Sequence, residues 1–142
     1  MSYKIYIDAN VLLDYCLHRE NKTESKIILD KINDGTYRGY ISGSTIHILG
    51  YVLSKMFGAK KTKSLILQLL TEFNVIDMSK DMMVQAMHSK IDDIEDALQY
   101  YVAINNKMNY FITQDKKFIK EALPILPIYT PALFIKEIIE QK

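Results

Sequence analysis

The chain has 142 residues, a length that suits one domain able to bury a sizeable core. Hydrophobic residues make up 49% and charged residues 25%, which argues against disorder, and no apolar run approaches the ~20 residues that span a bilayer. The formal net charge of +1 shows no strongly basic nucleic-acid binder, yet it leaves a nucleic-acid substrate open because local patches matter more than the total.

Residues 3–8 read as a first strand, and 10–18 and 22–33 as helices, with Asp34-Gly35 ending the second. Residues 37–42 make a short strand. Ser44 or Thr45 then caps a helix through about Met56, closed by Gly58. Residues 60–72 continue as an amphipathic helix with Leu65, Leu69 and Phe73 on one stripe. Asn74 to Met78 is a brief strand, and Ser79 caps the helix that follows. Asp92 or Asp93 caps another helix reaching Asn106, Asn109 to Thr113 forms a strand, and residues 116–122 a short helix. Ile125 to Tyr129 supplies a last edge strand, where prolines are tolerated, and Thr130-Pro131 starts a helix running to the C-terminus. This alternation predicts an α/β fold with a mainly parallel sheet covered on both faces. No repeat or linker divides it, so residues 1–142 read as a single domain.

Cys16 is the only cysteine, which excludes an internal disulfide and a cysteine zinc cluster; beside Tyr15 and Leu17 it reads as a small core residue. Asp8 interrupts the apolar stretch from Ile5 to Leu13, and no basic segment precedes it, so no signal core is read. A cytoplasmic location without membrane association is expected.

Acidic residues collect where chemistry is expected. Asp8 ends the first strand, and the carboxyl edge of a parallel sheet is where ligands gather. Asp115 follows the late strand, and Asp92-Asp93-Ile94-Glu95-Asp96 opens a helix between them. Gathered at one edge, these carboxylates would repel one another unless a cation sat among them. Hard divalent ions prefer oxygen ligands, and Mg²⁺ keeps several waters, so Asp8, Asp96 and Asp115 suffice as ligands for one ion or two. Asp8 also reads as a helix N-cap. Asn10 is a second cap or a hydrogen-bond donor to Asp8 and phosphate, and Asp14 is solvated or ion-paired. Asp96 suits a first helical turn, where the dipole favours an anion. Glu95 points roughly 100° away from Asp96 around the helix. Thr113 is a hydrogen-bonding support for a ligating carboxylate. Lys116 and Lys117, with Lys120 one turn on, draw phosphate or form a solvated basic face. His18, His47 and His88 form no ligand cluster, and no hydrolase elbow, P-loop or dinucleotide fingerprint occurs.

Tyr6-Ile7-Asp8-Ala9-Asn10-Val11-Leu12-Leu13-Asp14, the Ile41-Ser42 strand end, Glu95-Asp96-Ala97-Leu98-Gln99 and Phe111-Ile112-Thr113-Gln114-Asp115 resemble, in order, the signatures of the PIN-domain family. The resemblance implies a three-layer α/β/α sandwich and a Mg²⁺- or Mn²⁺-dependent ribonuclease, with Ser42 among the supporting residues. Small single-domain members are often toxins, so RNA as substrate and a small antitoxin protein as partner are also implied. One departure stands out, because the family commonly places a glutamate where this chain has Ile48. Either Glu95 or Asp93 supplies that charge, or the site binds one ion, or the protein is a weak or inactive RNA- or protein-binding module. A phosphoryl-transfer domain using Asp8 as nucleophile ranks lower, since Asn10 stands where its second acid is wanted. The apolar stretch from Ile46 to Phe57 suits a homodimer.

Overall fold

The computed structural model describes residues 2–141. The first strand, β1 (Tyr3–Ile7), leads into α1 (Ala9–Cys16) and α2 (Lys22–Asn33). β2 (Tyr37–Ser42) runs directly into α3 (Gly43–Glu72), followed by β3 (Asn74–Ile76), α4 (Lys80–Met87) and α5 (Ile94–Asn105). β4 (Tyr110–Ile112), α6 (Lys116–Ile119), β5 (Ile128–Tyr129) and α7 (Pro131–Phe134) complete the order, and a π-helical turn, Ile135–Ile139, follows. The five strands lie in the order β3-β2-β1-β4-β5 and every pairing is parallel. β1 is therefore central, paired to β2 through Ile5↔Gly39 and to β4 through Ile5↔Tyr110. The chain leaves β1 to one side and later returns on the other, which makes the β1/β4 crevice the topological switch point.

Strand residues alternate between two cores, as a period of two requires. Ile5, Ile7, Ile41 and Ile112 join Leu12, Ile28, Leu49 and Phe134 on one face. Tyr6, Tyr40 and Phe111 join Ala97, Tyr100, Val102 and Phe118 on the other. Tyr6 stacks on Phe111 at 5.1 Å between ring centroids, and Tyr100 and Phe118 meet Phe111 edge-on. Helices thus cover both faces, giving the three-layer α/β/α sandwich expected of the sequence. Within β2, Gly39 is required by close approach: a Cβ there would lie 2.8 Å from both Ile32 Cγ2 and Phe73 Cε1.

Several boundaries differ from the sequence reading. The cap of α3 is Ser42 rather than Ser44 or Thr45, because the strand passes into the helix without a loop and Ser42 and Thr45 form a capping box. Gly58 (φ 80°, ψ 168°) breaks α3 into arms of 43–57 and 59–72, as the sequence reading placed the break, in a conformation that only glycine adopts easily. Asp93, not Asp92, caps α5. The last strand keeps only Ile128 and Tyr129: Leu126 N–H turns back to Leu123 O at 3.1 Å, and Pro127 has no N–H to extend the ladder. Thr130 caps α7 and Pro131 takes its first position, as expected, but the helix loosens into the π turn after Phe134.

Candidate active site

Asp8, Asn10, Thr113 and Asp115 meet at the carboxyl edge of β1 and β4. Asp8 N–H continues the ladder to Ile112 O at 2.9 Å, so the residue is held by the sheet itself. It lies two positions after Tyr6 and shares its face, the side covered by α5. Its side chain is only 3% exposed. Thr113 Oγ1 donates to Asp8 Oδ2 at 2.9 Å, Gln99 Nε2 donates to Oδ1 at 3.2 Å, and Asn10 Nδ2 donates to Oδ2 at 3.3 Å. Burial pushes the Asp8 carboxyl up, while Thr113, Gln99 and the backbone amides of Asn10 and Ala9 pull it back toward the ionised form.

Behind Asp8 is a buried polar chain. Tyr6 donates its phenolic proton to Gln99 Oε1 at 3.2 Å, and its oxygen lies 2.8 Å from Ser42 Oγ and 3.3 Å from Thr45 Oγ1. A carboxylate only accepts, so the Gln99 amide must turn its nitrogen to Asp8 and its oxygen to Tyr6. Burial raises the Tyr6 phenol to about 12, which keeps it a donor at neutral pH. Ser42 therefore supports Asp8 at two removes, through Tyr6 and Gln99. The sequence reading missed Gln99 and Tyr6. Gln99 lies three residues after Asp96 and so shares its helix face, a signal that was available.

On the other side, Asn10 ties the two strand ends together. Its Nδ2 donates to Thr113 Oγ1 at 3.2 Å, and its Oδ1 accepts the Gln114 N–H at 3.1 Å. Thr113 Oγ1 also accepts the Asp115 N–H at 3.1 Å, which fixes the turn that presents Asp115. Asp115 caps α6 by accepting the Lys117 N–H at 3.0 Å; Lys116 and Lys117 are exposed beside it. Asp93 caps α5 by accepting the Asp96 N–H at 3.0 Å. Asp14 is buried rather than solvated, and pairs with Arg19 at 3.5 Å.

Asp96 reports how close these acids stand. Its carboxyl is raised from 3.8 to about 8, first by burial and then by the fields of Asp8, Asp93 and Asp115, with which last it also shares a hydrogen bond. Glu95 is raised as well, by burial and by Asp8 and Asp93. Among the described residues the ion pairs are Arg19–Asp14 and Lys26–Asp30, and neither reaches this acidic group. Nor do three His, Cys, Asp or Glu side chains among them close to within the span of one ion. The donor chemistry nevertheless fits a hard divalent cation: every candidate is a carboxylate oxygen, and their mutual repulsion is what such a charge would relieve. Ile48, where the expected glutamate is missing, lines one shallow hollow with Glu95, Ser44 and His47. Glu95 thus stands beside the gap in negative charge.

The sequence of residues 4–117 matches the PIN domain model. Among curated proteins none matches the chain. Among solved structures, the VapBC2 complex of Rickettsia felis bound to a promoter DNA fragment contains a chain that superposes with a TM-score of 0.70 at 17% identity, over 89% of this chain and 98% of that one. A chain of a toxin–antitoxin complex from Klebsiella pneumoniae gives 0.67 at 22% identity, covering 89% and 97%. VapC20 of Mycobacterium tuberculosis, described as a Sarcin-Ricin loop cleaving toxin, gives 0.66 at 15% identity, covering 80% and 92%. These likenesses are of fold, and together with the family match over most of the sequence they lead to one conclusion: the chain belongs to the PIN-domain family.

Proposed function

We propose that the protein is a metal-dependent endoribonuclease hydrolysing RNA phosphodiester bonds, and the toxin of a toxin–antitoxin pair. The observation that carries this reading is the gathering of Asp8 and Asp115 at the carboxyl edge of β1 and β4, with Asp96 of α5 near enough that their fields raise its carboxyl. Perturbed carboxyls gathered at a sheet's switch point mark a functional site rather than a structural one. Asp8, Asp96 and Asp115 would hold Mg²⁺ or Mn²⁺, with Glu95 or Asp93 completing the charge beside Ile48. When bound, such an ion supplies an activated water and neutralises charge on the phosphate. The chain's own residues do the rest. Gln99 and Thr113 keep the Asp8 oxygens aimed, Asn10 locks the β1 and β4 ends in register, and Asp96 must release its proton to become a donor. Lys116 and Lys117, exposed at the start of α6, attract the phosphate backbone.

Structures of the same fold include toxin–antitoxin complexes and a toxin described as cleaving the Sarcin-Ricin loop, which supports an RNA substrate and a small antitoxin partner. Tyr51 and Met56, both 64% exposed on the first arm of α3, offer apolar surface for a homodimer. The test is RNA cleavage across a Mg²⁺ and Mn²⁺ titration for wild type, Asp8→Asn and Asp96→Asn. Cleavage lost in both variants, with circular dichroism unchanged, is the expected result. Cleavage surviving in Asp8→Asn would remove Asp8 from the chemistry. A folded wild type that binds RNA but cleaves none would favour the binding module that Ile48 suggests.

A further inference from the structure

A cavity of about 550 Å³ lies between the α4–α5 turn and the segment after α6. His88 and Lys90 line one wall, Lys120, Glu121 and Leu123 the other, and Tyr101 of α5 lies between them. Its volume falls in the range of small-ligand pockets. Both walls are tied in place. Ser89 Oγ donates to Ala86 O at 2.7 Å and accepts the Ile91 N–H at 3.3 Å, which fixes the turn carrying Lys90. Tyr100 donates to Leu126 O at 2.6 Å and accepts the Leu123 N–H at 2.8 Å, which fixes the opposite segment.

We infer that this cavity is a nucleotide subsite, taking the base of an RNA residue on Tyr101 and an adjacent phosphate between Lys90 and Lys120. The inference rests on the ribonuclease reading and extends it to how the strand is held. Both walls are joined to acidic residues by short stretches of chain: Lys90 precedes the Asp93 cap by three residues, and Lys120 follows Asp115 by five. Tyr101 follows Asp96 by five helical residues, about 7.5 Å along the axis and turned about 140° around it, so a base on Tyr101 belongs to a residue flanking the one at the acidic group. Two lysines stand against the single carboxylate of Glu121, so the cavity complements a phosphate. Tyrosine supplies a flat apolar face, on which any base can stack.

The experiment is fluorescence anisotropy of a short, labelled single-stranded RNA of mixed sequence, titrated with the full chain in EDTA so that cleavage does not intervene. Lys90→Glu/Lys120→Glu is expected to weaken binding at least about tenfold and to reduce the salt slope by about 0.7, from the one lost phosphate contact. Tyr101→Leu is expected to weaken it about tenfold with the salt slope unchanged, while Tyr101→Phe, which keeps ring and packing, binds as wild type. Lys60→Glu/Lys61→Glu makes the same change of charge elsewhere and should leave affinity within about twofold. Wild-type affinity in the Lys90/Lys120 and Tyr101→Leu variants, an equal loss in the Lys60/Lys61 variant, or no RNA binding by wild type overturns the subsite. Restoring Mn²⁺ separates the two readings. Binding that depends on Tyr101 without any cleavage leaves the subsite and removes the nuclease. Cleavage with binding indifferent to these substitutions does the reverse.

Discussion

Removing the charge of Asp96 should stabilise the metal-free protein while destroying its activity. The folded state holds this carboxyl at about 8 rather than 3.8, so between those values it retains a proton that the unfolded chain has released. Stability then falls as pH rises through that window, because the folded state binds more protons than the unfolded one. At 1.36 kcal/mol per pH unit the full penalty has an upper limit of about 6 kcal/mol. Asp96 is partly open to solvent, and screening reduces this to about 1–2 kcal/mol. Asp96→Asn keeps the shape and removes the ionisation. For a chain of this length the gain corresponds to a Tm higher by about 3–7 °C at pH 8. The assay is thermal unfolding in EDTA from pH 5 to pH 8, for wild type and variant side by side. The variant should gain little at pH 5 and most at pH 8, and Mn²⁺ should stabilise only the wild type. A variant equally or less stable at pH 8, or a difference that does not change with pH, would refute the reasoning.

The polar chain behind Asp8 and the packing of β2 give two more tests. Gln99→Leu strips a buried donor from Asp8 and makes Tyr6 turn its proton to Ser42 or Thr45, so unfolding in urea should show a loss of about 1–3 kcal/mol. The same variant should bind Mn²⁺ about tenfold or more weakly by calorimetry, as losing a support of a ligating carboxylate does, and wild-type affinity would sink the assigned role. Gly39→Ala forces a methyl group to within 2.8 Å of Ile32 and Phe73 and should cost about 1–3 kcal/mol in urea unfolding; a neutral result would mean that Ile32 of α2 and Phe73 at the end of α3 draw off β2 more readily than their packing implies.

Local chemistry made much of this fold legible from sequence. Lys22–Asn33 and Tyr37–Ser42 appear where the pattern placed them, because apolar spacing and the Asp34-Gly35 turn act within a few residues. Thr130-Pro131 was readable for the same reason: a cap and a proline each act on the adjacent turn. The start of α3 was not. Ser42, Ser44 and Thr45 are all competent caps, and the choice depends on where β2 stops pairing with β3. At the site, strand-end position and acidity pointed to Asp8, Asp96 and Asp115, which the fold brings near one another. What remained hidden was the arrangement behind them. Gln99 is an ordinary helix residue until the fold carries α5 over β1 and sets its amide between Asp8 and Tyr6, contacts made across 91 and 93 residues of chain.

The central place of β1 also sets when the protein can become active. Asp8 is made long before Tyr110, yet its strand must pair with β4, whose Tyr110 faces Ile5. Closing so long a loop offers no contact energy until the far strand arrives, so the β1–β4 crevice is a late event in folding. During synthesis at about 5–20 residues per second, the chain emerging from the ribosome passes several seconds with Asp8 made and Asp115 not yet joined to it. Neither the register held by Asn10 nor the aim given by Thr113 exists in that interval. A nascent chain therefore lacks the assembled acidic edge by topology alone, and a ligand that recognises that edge has nothing to bind until the delay has passed.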